Sequence, residues 1–154
     1  HYDRRRQRQM CIRDSNISDP GNLGTLLRSA SWYGINNVLV TSKSVDIYNP
    51  KVVRSAMGAH FHINNLHQLS EQKIRSLLNV ESINIIAATL NGCSHKNFDP
   101  SNNWALILGN EAHGVTESML DIANEQVSIS KSGNMESLNV GVAGSVLIDR
   151  FSTK

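Results

Sequence analysis

The sequence lacks several features that define whole classes of protein. Its 154 residues include only two cysteines, Cys11 and Cys93, which are far apart. They form neither a disulfide framework nor a CxxC site, so we expect a reducing, cytoplasmic environment. No apolar run approaches the ~18 residues that span a bilayer, and we expect neither a membrane segment nor a signal peptide. Three Phe, two Trp and three Tyr are too few and too scattered to predict a stacking platform for single-stranded nucleic acid.

The sequence also lacks most familiar catalytic and metal-binding motifs. Its glycines fit neither the Walker loop nor the dinucleotide fingerprint, and no Ser/His/Asp order suggests a nucleophilic hydrolase. His60 and His62 fall on one face of a predicted strand, 60–63, and could bind a metal together with His67. No carboxylate or cysteine completes such a site, so we favour a structural role for these histidines and expect no metal.

The basic residues are unevenly distributed along the chain. The formal net charge is +2, but residues 1–15 hold five of the 15 Lys+Arg and two of the 13 Asp+Glu, so the rest of the chain carries a net charge of −1. This leader, HYDRRRQRQMCIRDS, has no initiating Met and no apolar period. A basic nucleic-acid-binding arm, a disordered tail and a non-native stretch are the three interpretations. The string resembles translated sequencing-adapter read-through, so we predict a non-native or disordered leader.

Residues 16–154 are predicted to form one domain in which short apolar runs alternate with helical patterns. The predicted strands are 37–41, 60–63, 83–89, 104–108 and 126–130, and the predicted helices are 23–33, 50–58, 70–78, 116–122 and 138–151. Strands 83–89 and 104–108 are almost entirely apolar, as strands covered on both faces require. The alternation predicts an α/β fold with a mainly parallel sheet and flanking helices.

Three loops are richer in glycine and polar residues than plain connections need, namely 19–30, 108–115 and 129–144. In parallel sheets, ligands bind in loops beyond the carboxyl ends of the strands. In the first loop, Gly21 and Gly24 could form an anion-binding nest that Arg28 reaches. Alternatively, the loop is an ordinary helix start that Asn22 caps, with Arg28 in solvent.

The second and third loops carry side chains that could take part in catalysis. Glu111, two residues before His113, could orient or deprotonate a hydroxyl or hold an amine. It could equally face water in a turn built for backbone geometry. In the third loop, Ser137 and Asn139 flank Leu138 at a helix start. An N-cap role explains Ser137, whereas Asn139 in the first turn has no such simple explanation.

Three motifs occur together in this order and spacing. They are Asn22-x-Gly24-x3-Arg28-x-Ala30, Leu108-Gly109-Asn110-Glu111-x-x-Gly114 and Glu136-Ser137-Leu138-Asn139-Val140. Together they resemble the three motifs of the SpoU (TrmH-like) RNA ribose methyltransferases of the SPOUT superfamily. The resemblance covers essentially residues 16–152, and residues 48–58 resemble the family's linking region.

The resemblance implies a C-terminal deep trefoil knot, S-adenosylmethionine bound in a bent pose within the knot, and a homodimer. It implies methyl transfer to a ribose 2′-hydroxyl of tRNA or rRNA. By matching position, the residues around the cofactor would be Thr89, Gly109, Ile129 and Leu138. Those of the reacting centre would be Asn22, Arg28, Glu111, Ser137 and Asn139. The alternatives are a catalytically silent RNA-binding or assembly module with the same fold, and a nucleotide-binding α/β domain of another kind.

Arg28 has the base role in proposals for this family. An arginine stays protonated in proteins, so we expect Arg28 to hold the adjoining phosphate and stabilise charge on the 2′-oxygen. Glu111 or the RNA phosphate would then take the proton. Phosphate attraction in a core of negative net charge requires either a local patch that a dimer doubles or a domain that is missing here, and the candidates for the patch are Arg28, Lys43, Lys51 and Arg54.

Two positions depart from the family pattern. Ser130 stands where proline usually follows Ile129, which predicts a change in the rigidity of the cofactor loop. Ala112 replaces a frequent glycine in the second motif, a milder change. The family's first strand should end just before Asn16, where the leader stands.

Overall fold

Six parallel strands form one central sheet in the computed structural model, which describes residues 9–12, 17–79, 82–100, 103–110 and 112–153. The strands are β1 Gln9–Ile12, β2 Asn37–Thr41, β3 Asn65–Leu69, β4 Asn84–Ser94, β5 Trp104–Leu108 and β6 Glu125–Ser128. The helices are α1 Pro20–Trp32, α2 Pro50–Ala56, α3 Glu71–Leu78, α4 Glu117–Leu120 and α5 Val140–Ser152, with a 3₁₀ turn at Ala59–Phe61. The strand order is β3-β2-β1-β5-β4-β6, which confirms the predicted α/β fold with a parallel sheet and flanking helices.

Side chains that alternate along the strands divide the core into two layers. In β5, Trp104, Leu106 and Leu108 belong to the layer shared with α1, α2 and α5, whereas Ala105 and Ile107 belong to the layer shared with α3 and α4. Successive residues of a strand point to opposite faces, so a strand covered on both sides must be apolar throughout. All of β5 is buried accordingly. Among the described residues, no helix has the length and apolar character needed to cross a membrane.

Strand β1 is where the structure differs most from the sequence-based prediction. Residues 9–12, which we assigned to a non-native or disordered leader, lie in the middle of the sheet between β2 and β5. Met10 pairs with Val38 on one side and with Leu106 on the other. A strand of four residues beside an arginine-rich run is too short to show an apolar period. Its pairing partners are far away in the sequence, so local pattern did not predict it. The predicted boundary at residue 16 therefore excludes a central strand.

The predicted strand 60–63 is wrong. Helix α2 ends at Ala56, its C-cap Met57 has a φ of 50°, and Gly58 continues the turn with a φ of 87°. The chain then enters the 3₁₀ turn, and the strand next to β2 starts only at Asn65, which pairs with Asn37. His60 therefore lies in the 3₁₀ turn, and His62 directly follows it.

Strand β4 continues past its predicted end at residue 89. Its polar second half pairs with β6 after a register shift between Ala88 and Cys93. A Cβ at Gly92 would lie 2.5 Å from the backbone nitrogen of Val127, so the two backbones approach closely here. Backbone pairing holds this segment, which explains why apolar periodicity did not predict it.

Candidate active site

A cavity of about 740 Å³ lies beyond the carboxyl ends of β5 and β6, is lined on one side by residues 88–91 of β4, and reaches the first turns of α5. Its volume is within the range of about 300–1,000 Å³ that small-molecule sites occupy. The four predicted cofactor residues all line this cavity: Thr89, Gly109, Ile129 and Leu138. Thr89 lies within β4, Gly109 directly follows β5, and Ile129 and Leu138 belong to the loop after β6. The parallel sheet brings them together because the carboxyl ends of its strands share one edge.

The loop after β5 is closed by its own backbone. Asn110 and Gly114 exchange backbone hydrogen bonds of 3.0 and 2.9 Å, and the Asn110 side-chain oxygen accepts from the backbone of Ala112 at 2.6 Å. A Cβ on Gly109 would lie 2.1 Å from the carbonyl carbon of Gly114. Position 109 therefore requires glycine. His113 also lines the cavity, whereas Glu111 lies outside the described residues.

The loop after β6 is exposed over residues 130–139 and is held at its start by β4 and the residue after it. The Ser130 and Ser94 hydroxyl oxygens are 2.6 Å apart, and the Ser130 backbone N–H donates to His95 Nδ1 at 3.4 Å. Proline at this position could form neither bond. Further along, Ser137 lines the cavity, and Lys131 Nζ donates to the Met135 carbonyl at 3.3 Å.

Asn139 and Asn22 form a direct side-chain pair. Asn139 Nδ2 donates to Asn22 Oδ1 at 2.8 Å. The Asn139 side-chain oxygen caps α5 by accepting from the backbone of Gly141 at 2.9 Å and of Val142 at 3.2 Å. The N-cap role considered for Ser137 thus belongs to Asn139. The helix was predicted to start at residue 138, but α5 starts at Val140, so Asn139 is the residue directly before it.

Asp19, not Asn22, caps α1, since its carboxylate accepts from the Asn22 backbone at 2.8 Å. The nest proposed for Gly21 and Gly24 is also wrong. Both glycines are inside α1, and neither has a positive φ. A Cβ on Gly24 would lie 1.8 Å from the Ser55 hydroxyl, so this glycine lets α1 and α2 pack closely.

Helices α1 and α5 run side by side in the same direction, with polar pairs along their contact. After the asparagine pair come Ser29–Ser145 and Tyr33–Asp149, each 2.7 Å between side-chain oxygens. The Tyr33 hydroxyl donates to the Asp149 carboxylate, and this hydrogen bond raises the pKa of Tyr33. The three pairs therefore join the two helices from their first turns to their last.

The structure does not bring every predicted residue into the cavity. Arg28 is exposed on α1, and neither Arg28, Asn22 nor Asn139 lines the cavity, although Ser137 does. The described residues contain no group of three or more His, Cys, Asp or Glu arranged to hold a metal ion. His60 Nε2 instead donates to the Ile47 carbonyl at 2.7 Å.

Several cavity residues were absent from the prediction. They include Leu90, Asn91, Gln126, Lys131, Met135 and Glu136. Leu90 and Asn91 lie in the polar half of β4, which the predicted strand did not include. Lys131, Met135 and Glu136 belong to a loop already noted for its composition, and the position of that loop after a strand predicts that they lie at the cavity.

The parallel sheet and a cavity beyond its strand ends define an α/β protein with a small-molecule site. The family model described as the SpoU rRNA Methylase family matches residues 10–149, and the chain belongs to this family. The match begins within β1.

Three known proteins show how the similarity is distributed. The chain is 35% identical over 133 residues to the Bacillus subtilis "23S rRNA (guanosine(2553)-2'-O)-methyltransferase RlmP", covering 86% of this chain and 53% of that protein. Among solved structures, the SpoU methyltransferase AviRb from Streptomyces viridochromogenes in complex with the cofactor AdoMet has a TM-score of 0.85 at 25% identity, covering 94% of this chain and 59% of that one. A structure described as an RNA 2'-O ribose methyltransferase has a TM-score of 0.83 at 29% identity, covering 94% of this chain and 55% of that one. The chain thus spans little more than half the length of these proteins.

Proposed function

We propose that this protein transfers a methyl group from S-adenosylmethionine to a ribose 2′-hydroxyl of ribosomal or transfer RNA. The observation that carries the proposal is that one cavity beyond the strand ends gathers Thr89, Gly109, Ile129 and Leu138. The related enzyme from Bacillus subtilis is named for 2′-O-methylation of 23S rRNA, and the related AviRb structure contains AdoMet. Both relatives support the same activity here.

The residues around the cavity suit S-adenosylmethionine chemically. Apolar side chains suited to an adenine ring line it, namely Leu108, Val115, Leu120, Val127, Ile129, Leu138 and Leu147. The polar residues Thr89 and Ser137 can bond ribose hydroxyls, and the oppositely charged Glu136 and Lys131 suit an ammonium and a carboxylate. This combination of groups matches a nucleoside joined to an amino acid.

The protein must mainly position and activate the ribose hydroxyl. When bound, S-adenosylmethionine would supply a methyl group from its sulfonium and leave as S-adenosylhomocysteine. The ribose hydroxyl would gain that methyl group on its oxygen and lose its hydrogen as a proton. Asn22, held by Asn139 at the start of both helices, orients the nucleotide. Arg28 holds the adjoining phosphate and stabilises the developing charge on the oxygen. Glu111 or that phosphate accepts the proton.

The proposal includes a homodimer, as the family resemblance implies. Arg28 lies on the exposed side of α1, away from the lining of the cavity in its own chain. Trp32 on α1 and Val142 on α5 are 83% and 50% exposed, so this helix pair offers apolar surface to a second copy. Light scattering of wild type and of Trp32→Ala at several concentrations tests this. A wild-type protein that stays monomeric would contradict the dimer.

We also propose that the C-terminal part of the chain forms a deep trefoil knot. Two observations support it: the polar end of β4 pairs with β6, and α5 returns to pack on α1 and β5 through Gly144. A Cβ at Gly144 would lie 2.3 Å from Leu26 and 2.6 Å from Leu108. An experimental chain trace through residues 84–152 tests the knot directly.

Ligand competition tests the cofactor class. In a thermal-shift assay, S-adenosylhomocysteine should raise the Tm of the wild-type protein, whereas ATP should leave it unchanged. At a ligand concentration of about 100 times Kd, the stabilisation should be about 2.7 kcal/mol. Stabilisation by ATP alone would instead indicate a nucleotide-binding domain of another kind.

A further inference from the structure

Exposed apolar side chains are concentrated on and around helix α2. Of the large apolar side chains exposed in the described ranges, Tyr48, Val53, Met57 and Phe61 lie within residues 48–61. Tyr48 is 66% exposed, Met57 70% and Phe61 89%. These four residues, together with Lys51 and Arg54, are called here the α2 surface. The sequence predicted no stacking platform because aromatics are scarce, but the fold places Tyr48 against His60, the residue before Phe61.

Local contacts hold this surface in place. The Asn49 side chain caps α2 by accepting from the Lys51 backbone at 2.9 Å. Val53 and Met57 are one helical turn apart on the exposed side of the helix. Met57 has φ 50°, a left-handed conformation that costs a residue other than glycine free energy. This turn carries the chain directly into the 3₁₀ turn that ends with Phe61.

Tyr48 is attached to that same 3₁₀ turn. Its ring lies against His60, with 5.8 Å between the ring centroids. His60 is in turn fixed by its hydrogen bond to the Ile47 carbonyl. Tyr48 and Phe61 therefore stand on neighbouring segments, and each ring keeps most of its area open to solvent.

The α2 surface is basic. Lys51 and Arg54 are both exposed on the helix, and Arg54 Nε donates to the Pro50 carbonyl at 3.3 Å. The sequence has no Asp or Glu between Asp46 and Glu71. Cations flanked by open aromatic rings are the combination that binds an unpaired nucleic-acid strand, because rings stack on bases and cations contact phosphates.

The α2 surface also adjoins the candidate active site. The Ser55 hydroxyl of α2 lies 3.1 Å from the Pro20 carbonyl of α1 and 2.9 Å from the Lys51 carbonyl of its own helix, and Gly24 packs on the same serine. Two residues after Pro20 is Asn22, the partner of Asn139. An RNA strand whose ribose reaches Asn22 and Asn139 is therefore close to the α2 surface, because α2 packs directly on α1.

We propose that the α2 surface binds an unpaired segment of the RNA substrate, with bases stacked on Tyr48 and Phe61 and phosphates at Lys51 and Arg54. This inference rests on the proposed function. Stacking requires bases that are not already paired, so a duplex fits the surface poorly. A second copy of the chain fits poorly as well, because a two-fold interface would place the same basic patches against each other.

Fluorescence anisotropy with a labelled oligouridylate, in the presence of S-adenosylhomocysteine, tests the inference. Phe61→Ala and Tyr48→Ala should each weaken binding about tenfold, since stacking on an aromatic ring contributes on this order per base. Phe61→Tyr and Tyr48→Phe keep the rings and should bind like wild type. Lys51→Gln and Arg54→Gln should each lower the slope of log K against log salt by about 0.7.

Lys73→Gln is the matched charge control, because Lys73 is exposed on α3, which packs on the opposite face of the sheet. It should bind the oligouridylate like wild type. Equal affinity of the ring-deleted variants and wild type would overturn the inference, as would wild-type protein that binds cofactor but no oligouridylate. A concentration-dependent dimer that Phe61→Ala abolishes would assign the surface to a second copy instead. Failure of wild type to bind S-adenosylhomocysteine would contradict the proposed function separately.

Discussion

The side chain of Asn139 donates a 2.8 Å hydrogen bond to the side-chain oxygen of Asn22, and so links the first turn of α5 to the first turn of α1. The same asparagine caps α5 through its oxygen. One side chain therefore uses its acceptor for the helix and its donor for the neighbouring helix. This division explains why asparagine, with both groups, occupies position 139.

Substitutions at position 139 should separate the two roles. Asn139→Ala removes both and should destabilise the protein by about 1–2 kcal/mol. Asn139→Ser keeps a good cap but is too short to reach Asn22, so its Tm should stay close to that of wild type while methyl transfer falls. Asn22→Ala should lower transfer similarly, and adding it to Asn139→Ser should cost little more. Additive losses in the double variant would show that the pair does not act as a unit.

Gly109→Ala should abolish cofactor binding. The added Cβ would lie 2.1 Å from the Gly114 carbonyl carbon, so the loop that lines the cavity cannot keep its shape. Titration of S-adenosylhomocysteine by calorimetry measures the effect, which we expect to exceed tenfold in Kd. Gly133→Ala is the matched control, since Gly133 lines the same cavity and a Cβ there has nothing within 4 Å. If Gly109→Ala bound as tightly as this control, the close approach would not matter to the site.

Ser130→Ala should loosen the start of the loop after β6. It removes the hydroxyl contact with Ser94, a bond worth about 0.5–1.5 kcal/mol, so the Kd for S-adenosylhomocysteine should rise about 2- to 10-fold. Ser94→Ala should give the same rise, and the double variant no further rise. Asn134→Ala, at an exposed position of the same loop that does not line the cavity, should have no effect. Equal Kd values for all variants would show that this contact does not hold the cofactor loop.

Gly24→Ala should lower stability without touching the cavity. Its Cβ would meet the Ser55 hydroxyl and lie 2.9 Å from the Ala56 backbone nitrogen. Overpacking of this kind costs about 1–3 kcal/mol, which corresponds to a Tm lower by about 2–10 °C. Gly133→Ala serves again as the control. An unchanged Tm would mean that the α1–α2 contact adapts without cost.

The sequence predicted best those elements whose own residues determine them. β5 is apolar throughout because both of its faces are covered, and α3 lies where the helix 70–78 was predicted, with Ser70 as its cap. The prediction failed where distant parts of the chain determine the structure. β1 and the end of β4 are held by pairing with strands elsewhere in the sequence.

In the site, too, the prediction succeeded where the local sequence determines the structure and failed where distant contacts do. The family resemblance identified Thr89, Gly109, Ile129 and Leu138, which the sheet brings to one cavity. They did not show that Asn139 pairs with Asn22, because that contact depends on two helices packing in the same direction. Nor could composition show that the turn at Met57 returns the chain so that His60, next to Phe61, lies against Tyr48.

The most direct test of the proposed function identifies the atom that receives the methyl group. Wild-type protein is incubated with methyl-labelled S-adenosylmethionine and bulk RNA, and the RNA is digested to nucleosides. We predict that label appears as a 2′-O-methylnucleoside, and that Arg28→Ala lowers its amount about 100- to 1,000-fold. Glu111→Gln tests the proton acceptor in the same assay. Wild-type protein that binds both cofactor and RNA but transfers no label to a ribose oxygen would contradict the proposed activity and support a silent RNA-binding module.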